Sequence, residues 1–301
     1  MKILNPLPSR NEILTVVVIA IIFIAITTVF VGLRSEHLLI VSVFLILFFA
    51  GKSARKLAVG LLPFFIFGIS YDWMRVYPNY EVNPIDVRNL YDLEKFLFGI
   101  EENGTLLIPC EYFALHHSVI ADILAGFFYL CWVPVPIAFG LWLYLKKDRR
   151  LYLIGFAGYY IHPAAPPWYA INYGFEAILN TPGNTAALGR FDELVGLPIF
   201  DSLYSRNSNV FAAIPSLHAA YMVVAFYYAL VKKCHPAIIT IFAVLMCGIW
   251  FTAVYSSHHY IIDVLLGITC ALLGILFFEK GLMKIPGFIK FFNRYQHYIE
   301  A

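Results

Sequence analysis

A chain of 301 residues that is 61% hydrophobic and 13% charged carries about half the charge of an average soluble domain. Its net charge of +2 and its scattered Lys and Arg form no basic face for nucleic acid, and its five cysteines include no CxxC pair for zinc and no disulfide framework. That composition excludes a soluble domain and leaves an all-α polytopic membrane protein with room for about eight transmembrane helices.

Read in chain order, the first apolar run, 13–33, is too long for a signal h-region and is followed by no small-residue cleavage site, so it reads as a span. A second span near 37–50 ends at Lys52-Ser53-Ala54-Arg55-Lys56, and a third covers 57–75. The connection 76–120 holds an amphipathic stretch, 86–98, with Val87, Leu90, Leu93, Phe96 and Leu97 at helical spacing, suited to lie along the interface. Asn103-Gly104-Thr105 in that connection has the form of a glycosylation sequon. The fourth span, 121–145, contains Pro134 and Pro136, which kink it, and the fifth is 151–166. Residues 167–212, rich in Gly, Asn, Ser and Pro, read as an ordered cap. Spans at 213–231, 237–255 and 259–279 complete the set, ahead of a tail at 281–301. The domain plan is therefore two leading helices in 1–56, a core in 57–280 and the tail.

An even number of spans puts both termini on one side. That side holds 15 of the 21 Lys and Arg, so the positive-inside rule makes the termini cytoplasmic. The starts of the sixth and eighth spans, and the cap, then face the non-cytoplasmic side.

Those two starts carry the polar residues that matter. His259 and Asp263 are four apart and share a helix face. A carboxylate beside an imidazole fixes its tautomer and stabilises its cation, which makes the other ring nitrogen a better nucleophile or base. Across one span lies Pro215-Ser216-Leu217-His218. Ser216 is a helix N-cap, the following amides form an anion site, and His218 stands where it can pass a proton to a leaving oxygen. A nucleophilic His, its orienting Asp, an acid–base His and an anion cradle suit phosphoryl transfer. A solvated polar helix start is the plain alternative for either motif alone. A proton-relay transporter fits less well, because these groups cluster at one surface and no internal repeat is evident.

Ser216-Leu217-His218 after Pro215, followed by His258-His259-Tyr260 and Asp263, resembles the second and third signatures of the type 2 phosphatidic acid phosphatase superfamily, PSGH and SRxxxxxHxxxD. Leu217 stands where that pattern has Gly, Thr252-Ala253 where it has Ser-Arg, and the first signature, KxxxxxxRP, is absent. In its place is His162-Pro163-Ala164-Ala165-Pro166-Pro167-Trp168-Tyr169. With Tyr71-Asp72-Trp73-Met74-Arg75 and Tyr91-Asp92-Leu93-Glu94-Lys95-Phe96-Leu97-Phe98-Gly99, these segments resemble the aureobasidin-sensitive inositol phosphorylceramide synthase branch and its bacterial relatives over roughly 60–280.

The resemblance implies a six-helix core, the third to eighth spans, behind two N-terminal helices. It implies His259 as a nucleophile forming a phosphohistidine, Asp263 orienting it, and His218 as acid then base, with no metal or other cofactor. It also implies lipid substrates, a phosphatidylinositol-like donor and a ceramide-like acceptor, whose chains enter from the bilayer. The site would face the periplasm or the Golgi lumen. The same residues with water as acceptor would make a lipid phosphate or prenyl diphosphate phosphatase. The motifs name no accessory subunit.

The family's basic residues have no match here, so other groups must meet the phosphoryl charge. Arg206 and His162 are the first candidates by proximity, with Arg75, Arg88 and Arg190 on the same face. A phosphodiester carries less charge than a phosphomonoester, which favours a head-group transferase. Trp168 and Tyr169 are read either as a stacking platform for an inositol ring or as interfacial aromatics. His258 is read either as a head-group contact or as a solvated histidine. His116-His117 lacks the carboxylate of an HExxH metal site.

Overall fold

A computed structural model describes residues 7–73, 76, 78–145, 162–205 and 209–300. They divide into two compact units, one holding the described residues up to Val76 and from Leu282 onward, the other those between Pro78 and Gly281.

In the first unit, α1 (Arg10–Phe30) is apolar around its whole circumference, as a lipid-facing helix must be. Ser9 caps it, and Glu12 returns the bond to the Ser9 amide at 2.7 Å. α2 (Ser35–Phe49) is tied to α4 (Leu62–Trp73) by Asp72, which pairs with Arg34 and meets His37 Nε2 at 2.8 Å. This explains the polar residue inside the Tyr71–Arg75 segment. The third span is not one helix: α3 (Lys52–Gly60) stops and α4 restarts at Leu62. Pro63 is the cause, since it lacks an amide donor and its ring disfavours helix before it. The tail folds into an amphipathic helix, α15 (Pro286–Glu300), and Tyr295 donates to the Val59 carbonyl of α3 at 2.9 Å.

In the second unit the amphipathic stretch expected over 86–98 is helical as α5 (Arg88–Phe98). A hairpin follows, β1 (Ile100–Glu102) antiparallel to β2 (Thr105–Leu107). Its turn is Asn103-Gly104, with φ +49° and +78°, the left-handed pair a two-residue hairpin demands. After α6 (Pro109–Leu115), the fourth span appears as α7 (Val119–Cys131) and α8 (Pro134–Leu145), interrupted where the prolines predicted a kink. The fifth span lies mostly outside the described residues. Its last residues, 162–166, are extended rather than helical, and Ala164 bridges to both Asp86 and Ala212. The cap is ordered through three short helices, α9 (Pro167–Tyr173), α10 (Gly189–Val195) and α11 (Ile199–Tyr204).

The core of this unit is a three-helix packing of α12 (Leu217–Val231), α13 (Pro236–Tyr255) and α14 (Ile261–Leu276), with α7 against α13. Small residues set the spacing. A Cβ on Gly267 of α14 would lie 2.2 Å from the Ser216 carbonyl oxygen, so only glycine lets α14 approach the head of α12 so closely. Among the described residues, four helical stretches are long and apolar enough to cross a membrane: Arg10–Phe30, Val119–Leu143, Pro236–Tyr255 and Ile261–Lys284. Ser35–Phe49 and Leu217–Val231 are shorter apolar helices. This is an integral membrane protein.

Candidate active site

The two polar motifs meet at the heads of α12 and α14. Three extended strands of loop set their level. The Asp86 amide donates to the Pro163 carbonyl (2.9 Å), Ala164 to Phe211 (3.1 Å) and Ala213 back to Ala164 (3.2 Å). From there Ile214-Pro215 leads into Ser216, which caps α12 by accepting from the Ala219 amide. The Ser216 amide donates in turn to the Asp263 carbonyl of α14 at 3.1 Å. A backbone bond thus joins the two motifs directly.

The turn between α13 and α14 presents the second motif. The Ala253 carbonyl accepts from the amides of both His258 (3.2 Å) and His259 (2.9 Å), and Ser257 takes φ +61° to make this possible. Thr252 turns its hydroxyl into its own helix, onto the Gly248 carbonyl. The residues in the place of the family's Ser-Arg therefore build the turn and supply no cation.

His259 is buried. Its Nδ1 lies 3.3 Å from Asp263 Oδ2, and its Nε2 lies 2.9 Å from His218 Nδ1. A carboxylate only accepts, so His259 carries its proton on Nδ1 and keeps the lone pair on Nε2. His218 must then donate from Nδ1 to that lone pair. Asp263 Oδ2 also accepts from the Tyr260 amide at 3.0 Å, which locks the carboxylate as part of the α14 cap. Burial pushes the His259 imidazole well below its ordinary value, to about 3, so the ring rests neutral, the form a nucleophile needs.

Aromatic residues close the site in a way the motifs do not announce. His218 lies against Trp132 and Tyr129, at ring-centroid distances of 4.2 and 4.7 Å. His258 lies against Tyr204 at 4.4 Å and accepts or donates at Ser256 Oγ, 3.0 Å away. It is buried rather than solvated, and burial holds it neutral as well, near 3. Tyr129 and Tyr204 share a hydroxyl–hydroxyl hydrogen bond across the two rings. These positions come from α7, α8's lead-in and the cap, far from the motifs in sequence, and no spacing links them.

The other expected contacts fall in several places. Trp168 and Tyr169 are 4% and 0% exposed and pack with Val87, Ala165 and Phe211, so they form the cap's own core and present no open ring face. The Trp168 amide donates to the Ser257 carbonyl, which makes α9 a brace for the His258-His259 turn. Leu217 is buried in the first turn of α12. His162 Nε2 stands 3.4 Å from Asp86 Oδ2. Arg190 donates from Nε to Asp122 Oδ1 at 2.7 Å, so much of its charge is met, and Arg88 lies over the Phe175 ring. Arg75 and Arg206 lie outside the described residues. His116 and His117 pair with Glu102 and Asp122 respectively.

One buried carboxylate was missed altogether. Glu94 of α5 is fully buried and accepts from the amides of Ile261 (2.8 Å) and Ile262 (3.2 Å), the first two residues of α14. Those amides have no partner within the helix. The helix whose first turn carries Asp263 is thereby pinned by a side chain from α5. Glu94→Ala would leave both amides bare, at a cost of roughly 1–3 kcal/mol each. The expected result is a lower unfolding temperature and a tenfold to hundredfold loss of turnover, since about 1 Å of misplacement costs that order. Burial lifts the Glu94 carboxyl to about 7, against the pull of the two amides. A raised carboxyl stabilises the fold fully below its ordinary 4.5 and loses that contribution as pH rises through about 7. Unfolding temperature measured across that window should fall in the wild type and stay flatter in Glu94→Gln.

Such an arrangement, helices across a membrane with His, His and Asp at their heads, defines a membrane phosphoryl-transfer enzyme. The chain belongs to the PAP2 superfamily, whose model matches residues 105–277. It is 67% identical over 305 aligned residues to the phosphoinositol dihydroceramide synthase of Bacteroides thetaiotaomicron, covering 98% of this chain and 100% of that one. It is 28% identical over 218 residues to the inositol phosphorylceramide synthase catalytic subunit AUR1 of Saccharomyces cerevisiae, 68% of this chain and 52% of that one. The corresponding subunit of Schizosaccharomyces pombe is 29% identical over 215 residues. No solved structure matches the chain significantly.

Proposed function

We propose that this protein moves phosphoinositol from a phosphatidylinositol-class donor to a ceramide-class alcohol, releasing diacylglycerol. The full-length likeness to a phosphoinositol dihydroceramide synthase carries the substrate classes. The contact chain Asp263–His259–His218 carries the chemistry.

In the first half-reaction the donor's phosphate enters between the two imidazoles, displacing the 2.9 Å contact. His259 Nε2 attacks phosphorus and the bond to the diacylglycerol oxygen breaks. His218, entering as its imidazolium beside the anionic phosphate, gives one proton to that oxygen and becomes neutral. The phosphorylated ring of His259 is cationic, and the Asp263 carboxylate beside Nδ1 stabilises it. In the second half-reaction His218 takes the proton from the acceptor hydroxyl, which attacks phosphorus and expels His259 Nε2. Protons balance over the cycle, and inositol stays on phosphorus throughout. The phosphodiester brings one negative charge, in keeping with a site whose nearby Arg190 is already shared with Asp122. The distribution of Lys and Arg supports cytoplasmic termini and a site on the opposite face.

The test is a product assay. Purified protein with phosphatidylinositol and ceramide should yield inositol phosphorylceramide by mass spectrometry. Release of inositol phosphate or phosphate at the same rate without ceramide would assign a hydrolase instead.

A further inference from the structure

A cavity of about 660 Å³ runs beside α14. One face of that helix lines it, through Ile262, Leu266, Leu273 and Phe277, a length of roughly 22 Å at 1.5 Å per residue. That exceeds the roughly 15 Å of hydrocarbon in one leaflet. Leu273 and Phe277 at its far end are exposed, as residues facing a bilayer are. Its near end is polar, formed by Asp86, Asn89 and His162, with Pro215 beside them. This end abuts the catalytic groups: Ile262 precedes Asp263, and Pro215 precedes Ser216.

The charge at the polar end separates the two lipids. It holds a carboxylate, a carboxamide, and an imidazole 3.4 Å from that carboxylate, so it offers an anion no net positive charge. Among its lining residues an anionic phosphodiester meets no unshared cation. A neutral lipid with hydroxyl and amide N–H donors meets an acceptor in Asp86. Asp86 also accepts from the Leu90 amide through Oδ1, which fixes its direction and leaves Oδ2 toward His162 and the cavity.

We infer that this groove is the acceptor site: it takes one long alkyl chain of a ceramide-class lipid, and Asp86 with His162 receives the polar hydroxyl and amide end. The inference rests on the transferase reading and assigns one of its two substrates to a place.

Steady-state transfer, with each lipid varied in mixed micelles, tests it. Asp86→Asn removes the charge that accepts the hydrogen bond, and Leu273→Trp fills the groove at an exposed position that leaves the core intact. Each is expected to raise the apparent KM for ceramide by about tenfold, the worth of one charge-assisted hydrogen bond or of comparable lost burial. The apparent KM for phosphatidylinositol should stay within twofold. A rise in the phosphatidylinositol KM with the ceramide KM unchanged would place the donor in the groove and overturn the assignment. So would no change in either. Absence of any ceramide-dependent product from the wild type would instead remove the transferase reading itself.

Discussion

His259→Ala is expected to lower phosphoinositol transfer by roughly 10⁴-fold or more, the loss seen when a covalent nucleophile is removed from a concerted set. At the heads of α12 and α14, His259 combines an imidazole nitrogen open to an incoming phosphate with an orienting carboxylate on the other nitrogen. Asp263 lies beside Nδ1, and Nε2 lies 2.9 Å from His218 Nδ1. The change should act on chemistry more than on folding, since the backbone amide of residue 259 still reaches the Ala253 carbonyl. A second readout isolates the covalent step. Wild type incubated with donor alone and quenched in alkali, where phosphohistidine survives, should show an inositol phosphate adduct on the peptide containing His259. The variant should show none. Transfer near the wild-type rate in His259→Ala would remove this residue from the nucleophile's role.

His218→Gln should cost about 10²- to 10⁴-fold, the range for loss of a general acid–base group. The case is geometric: His218 Nδ1 is 2.9 Å from the attacking nitrogen, so a phosphate seated between the rings has its leaving oxygen within reach of that imidazole. Trp132 and Tyr129 hold the ring from its other side and limit its motion. The dependence on leaving group distinguishes proton transfer from simple positioning. A diacylglycerol alkoxide needs a proton as it departs, whereas an aryl oxide does not. With an aryl phosphoinositol donor, adduct formation on His259 should recover most of its rate in His218→Gln. An equal loss with both donors would make His218 a positioning residue.

The departures from the superfamily pattern gain a physical account. Thr252 and Ala253, in the place of Ser-Arg, form the end of α13, and the Ala253 carbonyl carries the turn that delivers both histidines. The HPAAPPWY segment lays Ala164 between Asp86 and Ala212 and braces Ser257 from Trp168. These are scaffold roles. A site that handles a singly charged phosphodiester tolerates them better than one that must hold a phosphomonoester.

Much of this was legible from the chain. Apolar runs of span length exposed a membrane protein, and the i,i+4 pair His259/Asp263 with Ser216 and His218 marked the chemistry, because local spacing fixes which side chains share a helix face. Proline positions foretold the break between α7 and α8. The same rule applies at Pro63, and Asn103-Gly104 is a hairpin signal as well as a sequon. The tail helix escaped because its apolar residues are interleaved with charge and fall below any span threshold.

What remained depended on contacts between distant segments. Glu94 sits 167 residues before the Ile261 amide it receives, and in the sequence it is one more acid on an amphipathic helix. Tyr129, Trp132 and Tyr204 surround the histidines from α7, its loop and the cap, yet read alone they are interfacial aromatics. Trp168 and Tyr169 went the other way, from a proposed stacking surface to buried bracing. Local spacing determined that His259 and Asp263 share one face at a helix start, since that depends only on neighbours along a helix. Burial, helix pinning and the charge at the groove's head were decided by tertiary structure, because each is set by which side chains distant segments bring against a group, and periodicity carries no record of that.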